Sequence, residues 1–176
     1  MSQAHNHVKW CLAKALKEIE ELEKLGKRPK HRGLVQIKPD IETAKSHLEK
    51  AQHNLQATKY LRKGKFADIS ASTLFYSMYH CFLAIASKFG YESQNQTCTV
   101  ALVEWLIEDG KIELDKIFVE LLKPEDLAKE NSGTAIRIRE EYTYGLSIGV
   151  KEKNKIDELI KTSERLIDKT KDIVYG

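Results

Sequence analysis

The sequence predicts an all-α fold, an antiparallel up-and-down bundle of four or more long helices with short helices added. Two observations carry that prediction. Among 176 residues there are only 9 Gly, 3 Pro and 8% aromatics, too few turn and strand formers for a sandwich or a propeller, while Lys, Glu, Leu and Ile are abundant. Apolar residues also recur at spacings of three and four almost throughout, with short connections between the long segments. Domains cluster near ~100–150 residues, so one domain is expected over 1–176: a basic helix and loop at 1–39, then a core bundle at about 40–174.

Val8, Leu12, Ala15/Leu16, Ile19 and Leu22/Leu25 form one stripe of a first helix ending near Gly26. The run from Gly26 to Gly33 is a break, closed by Pro39-Asp40. Asp40 is placed to cap a second helix, whose stripe runs Ile41, Ala44, Leu48, Ala51, Leu55, Thr58, Leu61 up to Lys63-Gly64. Lys59, Arg62 and Lys63 in its last turn suit the negative end of the helix dipole. A third helix, about Phe66 to Phe89, has the widest apolar band in the chain and should be central, with Gly90 as its C′ residue. Residues 91–96 read as a loop. Short helices then fit Val100–Ile107 and Leu114–Leu122, the second interrupted by Pro124. After the break at Asn131-Ser132-Gly133, Ala135, Ile138, Tyr142 and Leu146 recur helically up to Gly149. A last helix, about Glu152 to Val174, carries one stripe for docking on the outside of the bundle.

The net charge of +3 conceals an uneven distribution. Residues 1–66 hold 15 Lys/Arg and 7 Asp/Glu, residues 67–150 hold 7 and 13, and residues 151–176 hold 7 and 6. A basic third beside an acidic middle points either to helix faces that differ in sign or to a self-complementary assembly, more than to a generally cationic nucleic-acid binder. Cys11, Cys81 and Cys98 are odd in number and lack CxxC spacing, so they read as thiols in a reducing cytoplasm. No leader pattern opens the chain, and no continuous apolar run approaches the ~18 residues of a membrane span. A cytoplasmic protein without a membrane partner is expected.

His47 and His53 are six apart and fall on opposite helical faces, while His5 and His7 lie near the terminus. No histidine pair has chelating spacing, so neither a metal nor a cofactor is expected. His31 and His80 stand out. Tyr76 and His80 are four apart with Tyr79 beside them, which brings two phenols and an imidazole to one level of the third helix. Such groups either hydrogen-bond to one another inside a core or line a pocket where the imidazole titrates near neutral pH. In the segment 137–145, Arg139 shares a face with Tyr142 and Thr143, and Glu140 with Tyr144. Arginine among tyrosines binds a phosphate and stacks a base, or ties a helix end to its neighbour. The loop bearing Lys27, Arg28, Lys30 and Arg32 carries four fixed charges and no aromatic residue. It is a solvated loop, a phosphate or RNA contact, or a dock for the acidic surface of a second subunit.

Tyr76-Ser77-Met78-Tyr79-His80-Cys81 resembles the Tyr-Tyr-Ala-Met-Phe-His-Ala run of the HEPN superfamily, and Arg139-Glu140-Glu141-Tyr142-Thr143-Tyr144-Gly145 is similar to the Arg-x-x-Ala-Asp-Tyr signature of the same branch. The resemblance spans roughly residues 40–172. It implies a helical bundle that forms a homodimer, and a nucleotide, an RNA or a minimal nucleotidyltransferase as partner in a toxin–antitoxin-like pair. The ribonuclease members carry Arg, four to six residues, then His; no arginine of this chain is followed by a histidine at that spacing. The signature's Asp is Thr143 here and its Ala is Tyr142. The reading is therefore a binding or interaction module with Tyr76, Tyr79, His80, Arg139 and Tyr144 as candidate ligand contacts. The alternative is a metal-independent ribonuclease with His80 as its base.

Overall fold

The most apolar segment of the chain becomes the middle of the fold. In the computed structural model, which describes residues 2–64, 66–123, 135–144 and 153–176, the elements run α1 (Gln3–Lys24), β1 (Leu34–Gln36), α2 (Ile41–Lys63), α3 (Ala67–Lys88), β2 (Tyr91–Ser93), α4 (Gln96–Glu108), α5 (Lys116–Leu122), α6 (Ala135–Tyr144) and α7 (Lys153–Tyr175). The fold is all-α, as the sequence predicts. Helix α3 packs against α2, α7, α6, α4 and β2, and Leu74, Phe75, Met78, Phe82 and Ile85 are buried along it. The breaks expected at Pro124 and at 131–133, and the helical stretch expected from 145 up to Gly149, fall on residues outside the described ones.

Local chemistry sets the helix ends. The Asp40 carboxylate accepts from the Thr43 N–H at 2.9 Å, Asn95 caps α4 through the Cys98 N–H at 3.0 Å, and Asp115 caps α5 through the Ile117 N–H. The Asn95 cap starts α4 four residues earlier than the apolar spacing alone suggests. Gly90 takes φ +78° beyond α3, where a Cβ would lie 2.7 Å from the Ile37 carbonyl oxygen. Both left-handed backbone and space require glycine there.

A seven-residue spacing aligns the central helices. Ala44, Ala51 and Thr58 on α2, Ser70, Ser77 and Ala84 on α3, and Ile156, Ser163 and Thr170 on α7 are all essentially inaccessible to solvent. Small side chains at this period let α2 and α3 approach closely along their length. The Ser77 hydroxyl donates to the Ala51 carbonyl at 2.8 Å and accepts from Ser163 at 3.0 Å, joining three helices at one buried point. The Thr58 and Thr73 hydroxyls meet at 2.8 Å one level away. At the rim, Arg62 holds Asp157 with two hydrogen bonds of 3.1 and 3.0 Å, and Lys59 pairs with Glu164 at 2.6 Å. The docked outer position expected for the last helix is thus occupied by α7.

Three expectations need correction. Cys11 and Cys98, 87 residues apart, form a disulfide between α1 and α4 with their Cα atoms 5.9 Å apart. Sequence spacing hid this, because only packing α1 on α4 brings the two sulfurs together. Cys81 remains free and buried, and burial pushes its thiol up to about 12. Second, residues 91–93 are not simply loop: β2 pairs antiparallel with β1, Leu34 opposite Ser93 and Gln36 opposite Tyr91. Third, the α1 stripe is buried only in its first half, at Val8, Cys11 and Ala15, whereas Leu16 and Leu25 are exposed. Gly33 lets the β1 approach lie against α1, since a Cβ there would come within 2.6 Å of the Cys11 carbonyl oxygen.

Residues 68–88 are long and apolar enough to cross a membrane by length and composition, with mean hydropathy 1.3, although no unbroken apolar run is that long. Most of that stretch is packed inside the bundle as its core helix.

Protein purified without reductant and then denatured should titrate one thiol per chain, that of Cys81, and three after reduction. Reduction should lower the unfolding free energy by about 2–4 kcal/mol in chemical denaturation. Three thiols before reduction would contradict the α1–α4 staple.

Candidate functional site

Residues 75, 76, 79 and 80 occupy two adjacent faces of α3, because side chains four apart stack one turn above another. The Phe75/Tyr79 face turns inward. Phe75 is buried, and the Tyr79 ring stacks beside it at 5.9 Å. The Tyr79 hydroxyl meets Thr99 Oγ1 at 3.1 Å, and burial raises its pKa, with the Thr99 bond acting in the opposite direction. This phenol therefore ties α3 to α4.

On the other face, Tyr76 turns toward the surface. Tyr76 is 47% exposed and meets the Phe75 ring edge-on at 5.3 Å. Helix α6 docks on α3 through Ala135, Ile136, Ile138 and Tyr142, all buried. That places the Arg139 guanidinium over the Phe75 ring at 4.4 Å, a cation–π contact of about 0.5–2 kcal/mol. Arg139 Nη2 also donates to Glu140 at 3.1 Å. Three of the candidate residues, Tyr76, Tyr79 and Arg139, thus surround one buried phenyl ring. Tyr144 belongs to the last turn of α6, and its side chain, like that of Thr143, lies outside the described residues.

His80 faces α2 instead. Its Nδ1 lies 3.0 Å from His47 Nδ1, with the rings 5.2 Å apart. One imidazole must donate Nδ1–H while the other accepts on a bare Nδ1, so the two rings cannot both be protonated. Burial, then the nearby His47 and Lys50 charges, lower the His80 pKa from an ordinary 6.5 to about 4. Burial also lowers that of His47. Sequence reasoning missed His47, having compared it only with His53 on its own helix. The signal was in the register: the Ala51–Ser77 contact aligns α2 with α3 so that 47 falls opposite 80. His47 also borders a cavity of about 220 Å³ with Asp40, Thr43, Ser87 and Glu92.

The basic loop does not join this group. Lys27, Arg28, Lys30 and Arg32 are exposed. Part of the loop shares a groove with Ile19, Glu92 and Gln94, beyond the C-terminal end of α3. From there Tyr76 is about 18 Å back along the helix axis. His31, between Lys30 and Arg32 in the basic loop, is buried and faces Glu92 at 3.4 Å. Among the described residues, the one grouping of three metal-ligating side chains is His7, Cys11 and Cys98, which comparing histidines alone overlooks.

The family model described as HEPN domain matches residues 44–173, from the first turn of α2 to the last turns of α7. Helix α1 and strand β1 precede the matched segment. No curated protein matches the chain.

Between pH 6.5 and about 4 the unfolded chain protonates His80 while the folded chain does not. The contribution of His80 to stability is therefore fully present above about pH 6.5 and is lost as pH falls toward 4. Thermal melts should show Tm dropping across that window, with a smaller drop in His80→Gln. Parallel pH profiles for the two proteins would contradict the buried neutral pair.

Proposed function

We propose, from the premise that the chain belongs to the HEPN domain family, that it is a non-catalytic nucleotide-binding module with its site at the junction of α3 and α6. The family supports a nucleotide- or RNA-related helical module. The observation that carries the finer reading is the placement of Arg139 and the half-exposed Tyr76 around Phe75. Stacking on Phe75 orients the guanidinium; one Nη2 N–H goes to Glu140, and the donors not given to Glu140 would serve a phosphate. Tyr76 offers an open aromatic face to a base. His80 adds a hydrogen-bonding edge and no charge.

Protonation supports binding over cleavage. With a pKa of about 4, His80 is neutral at pH 7, a weak base and an empty-handed general acid. The arginine that ribonuclease relatives place before their histidine is not at that spacing in this sequence, so nothing on the same helix turn balances charge on a phosphoryl oxygen.

We also propose that the chain works as a homodimer through the outer stripe of α3. Phe66 and Ile69, three apart at its N-terminal end and about two turns before Tyr76, are 53% and 52% exposed. Lys59 and Arg62 are already paired with Glu164 and Asp157 inside the chain, so the apolar stripe, more than the uneven charge distribution, supports self-association. A minimal nucleotidyltransferase in a toxin–antitoxin-like pair is the partner chain suggested by the family resemblance.

Calorimetric titration with ATP and other nucleotides should give measurable heat, weakened by about tenfold or more in Arg139→Ala and in Tyr76→Ala, since base stacking alone is worth ~1–3 kcal/mol. Absence of heat with every nucleotide, or RNA cleavage abolished by His80→Ala, would overturn this reading. Sedimentation equilibrium at tens of micromolar should give twice the 20.2 kDa chain mass, and Ile69→Glu should shift the protein to monomer. A monomeric wild type would contradict the dimer.

A further inference from the structure

We propose that His7, Cys11 and Cys98 form a zinc site that opens when the Cys11–Cys98 disulfide is reduced. The three donor atoms already lie within 4.8 Å of one another. A tetrahedral site with Zn–S bonds of ~2.3 Å places its sulfur vertices roughly 3.8 Å apart, so the ligands need only local adjustment.

Secondary structure prepares each ligand. His7 and Cys11 are four apart on α1 and project from one face. Cys98 sits in the first turn of α4, its N–H held by the Asn95 cap, where the helix dipole favours a thiolate. Both sulfurs are fully buried, while His7 is partly exposed. His7, the partly exposed ligand, borders a cavity of about 150 Å³ with Gln3, Ala4, Ala101, Glu104 and Lys123, and an ion held by three protein ligands would keep its fourth position for water. Lys123 is paired with Glu104 and Glu120 at 2.7 and 2.8 Å, so its charge is locally balanced.

Two thiolates and one imidazole suit a borderline-soft divalent ion, and two thiolates neutralise Zn²⁺, which limits the cost of burying it. Binding to the reduced protein releases the two thiol protons and transfers no electron. Closing the disulfide instead removes two protons and two electrons from the thiols, and a low-molecular-weight disulfide accepts both, becoming two thiols. The same sulfurs hold either each other or the ion. Either bond fastens α1, which precedes the family-matched segment, onto α4 within it. The proposal does not depend on the nucleotide reading.

The test uses the full chain, reduced with a phosphine and freed of it without air, titrated with Co²⁺ and then Zn²⁺. The reduced protein should take one equivalent of Co²⁺ with thiolate charge-transfer and tetrahedral ligand-field absorption, bleached by Zn²⁺. The oxidised protein should show neither band. Cys81→Ser should behave as wild type, Cys98→Ser should lose most of the charge-transfer band, and His7→Ala should weaken binding at least as much as the ~10–100-fold that outer-shell changes cost. No charge-transfer band in reduced wild type, or undiminished binding in both Cys98→Ser and His7→Ala, would overturn the site.

Discussion

The close contact between α2 and α3 is the constraint on which the rest of the molecule depends. Ala44, Ala51 and Thr58 meet Ser70, Ser77 and Ala84 with no solvent between them, and the Ser77 hydroxyl fixes the axial alignment on the Ala51 carbonyl. A larger side chain at these positions would overpack an interface that has no slack. The same period continues on α7, where the Ser163 hydroxyl donates to Ser77 and the Thr170 hydroxyl donates to the Leu166 carbonyl at 2.7 Å. Three helices therefore share one register. That register decides what reaches the surface: His47 falls opposite His80, and the Phe75 face is turned toward α4 and α6.

From this follows a division of labour among the aromatic and basic residues. Those turned inward, Phe75 and Tyr79, lock α3 to its neighbours, whereas Tyr76 and Arg139 stand at the rim of the same cluster. The basic residues divide likewise. Arg62 and Lys59 serve as clamps between α2 and α7, and the loop over 27–32 lies apart from the α3–α6 junction. The positive charge of the first third thus goes largely to structure and solvent, and the guanidinium at the α3–α6 junction, that of Arg139, comes from the acidic middle of the chain.

Much of the fold was legible in the sequence because it is written in local terms. Apolar periodicity marks the long helices, Asp40 and Gly90 mark two of their ends, and the breadth of the α3 band identifies the central helix. What was not legible depends on which helix faces which. The β1–β2 pair is three residues long on each side and has too little alternation to register as strand. The Cys11–Cys98 bond and the His47–His80 pair join elements 87 and 33 residues apart. Of the candidate site, the residue types and their helix were readable. The ring that organises them, Phe75, looked like any other core residue, and only the docking of α6 reveals its role.

The α2–α3 register thus holds His47 and His80 as a neutral, hydrogen-bonded pair beside the α3–α6 junction. Long-range proton–nitrogen NMR of the imidazoles at pH 7 tests it most directly. One Nδ1–H ring and one ring with a bare Nδ1 acceptor, sharing a slowly exchanging proton, are expected. Two independent Nε2–H imidazoles, each titrating near 6.5, would contradict it.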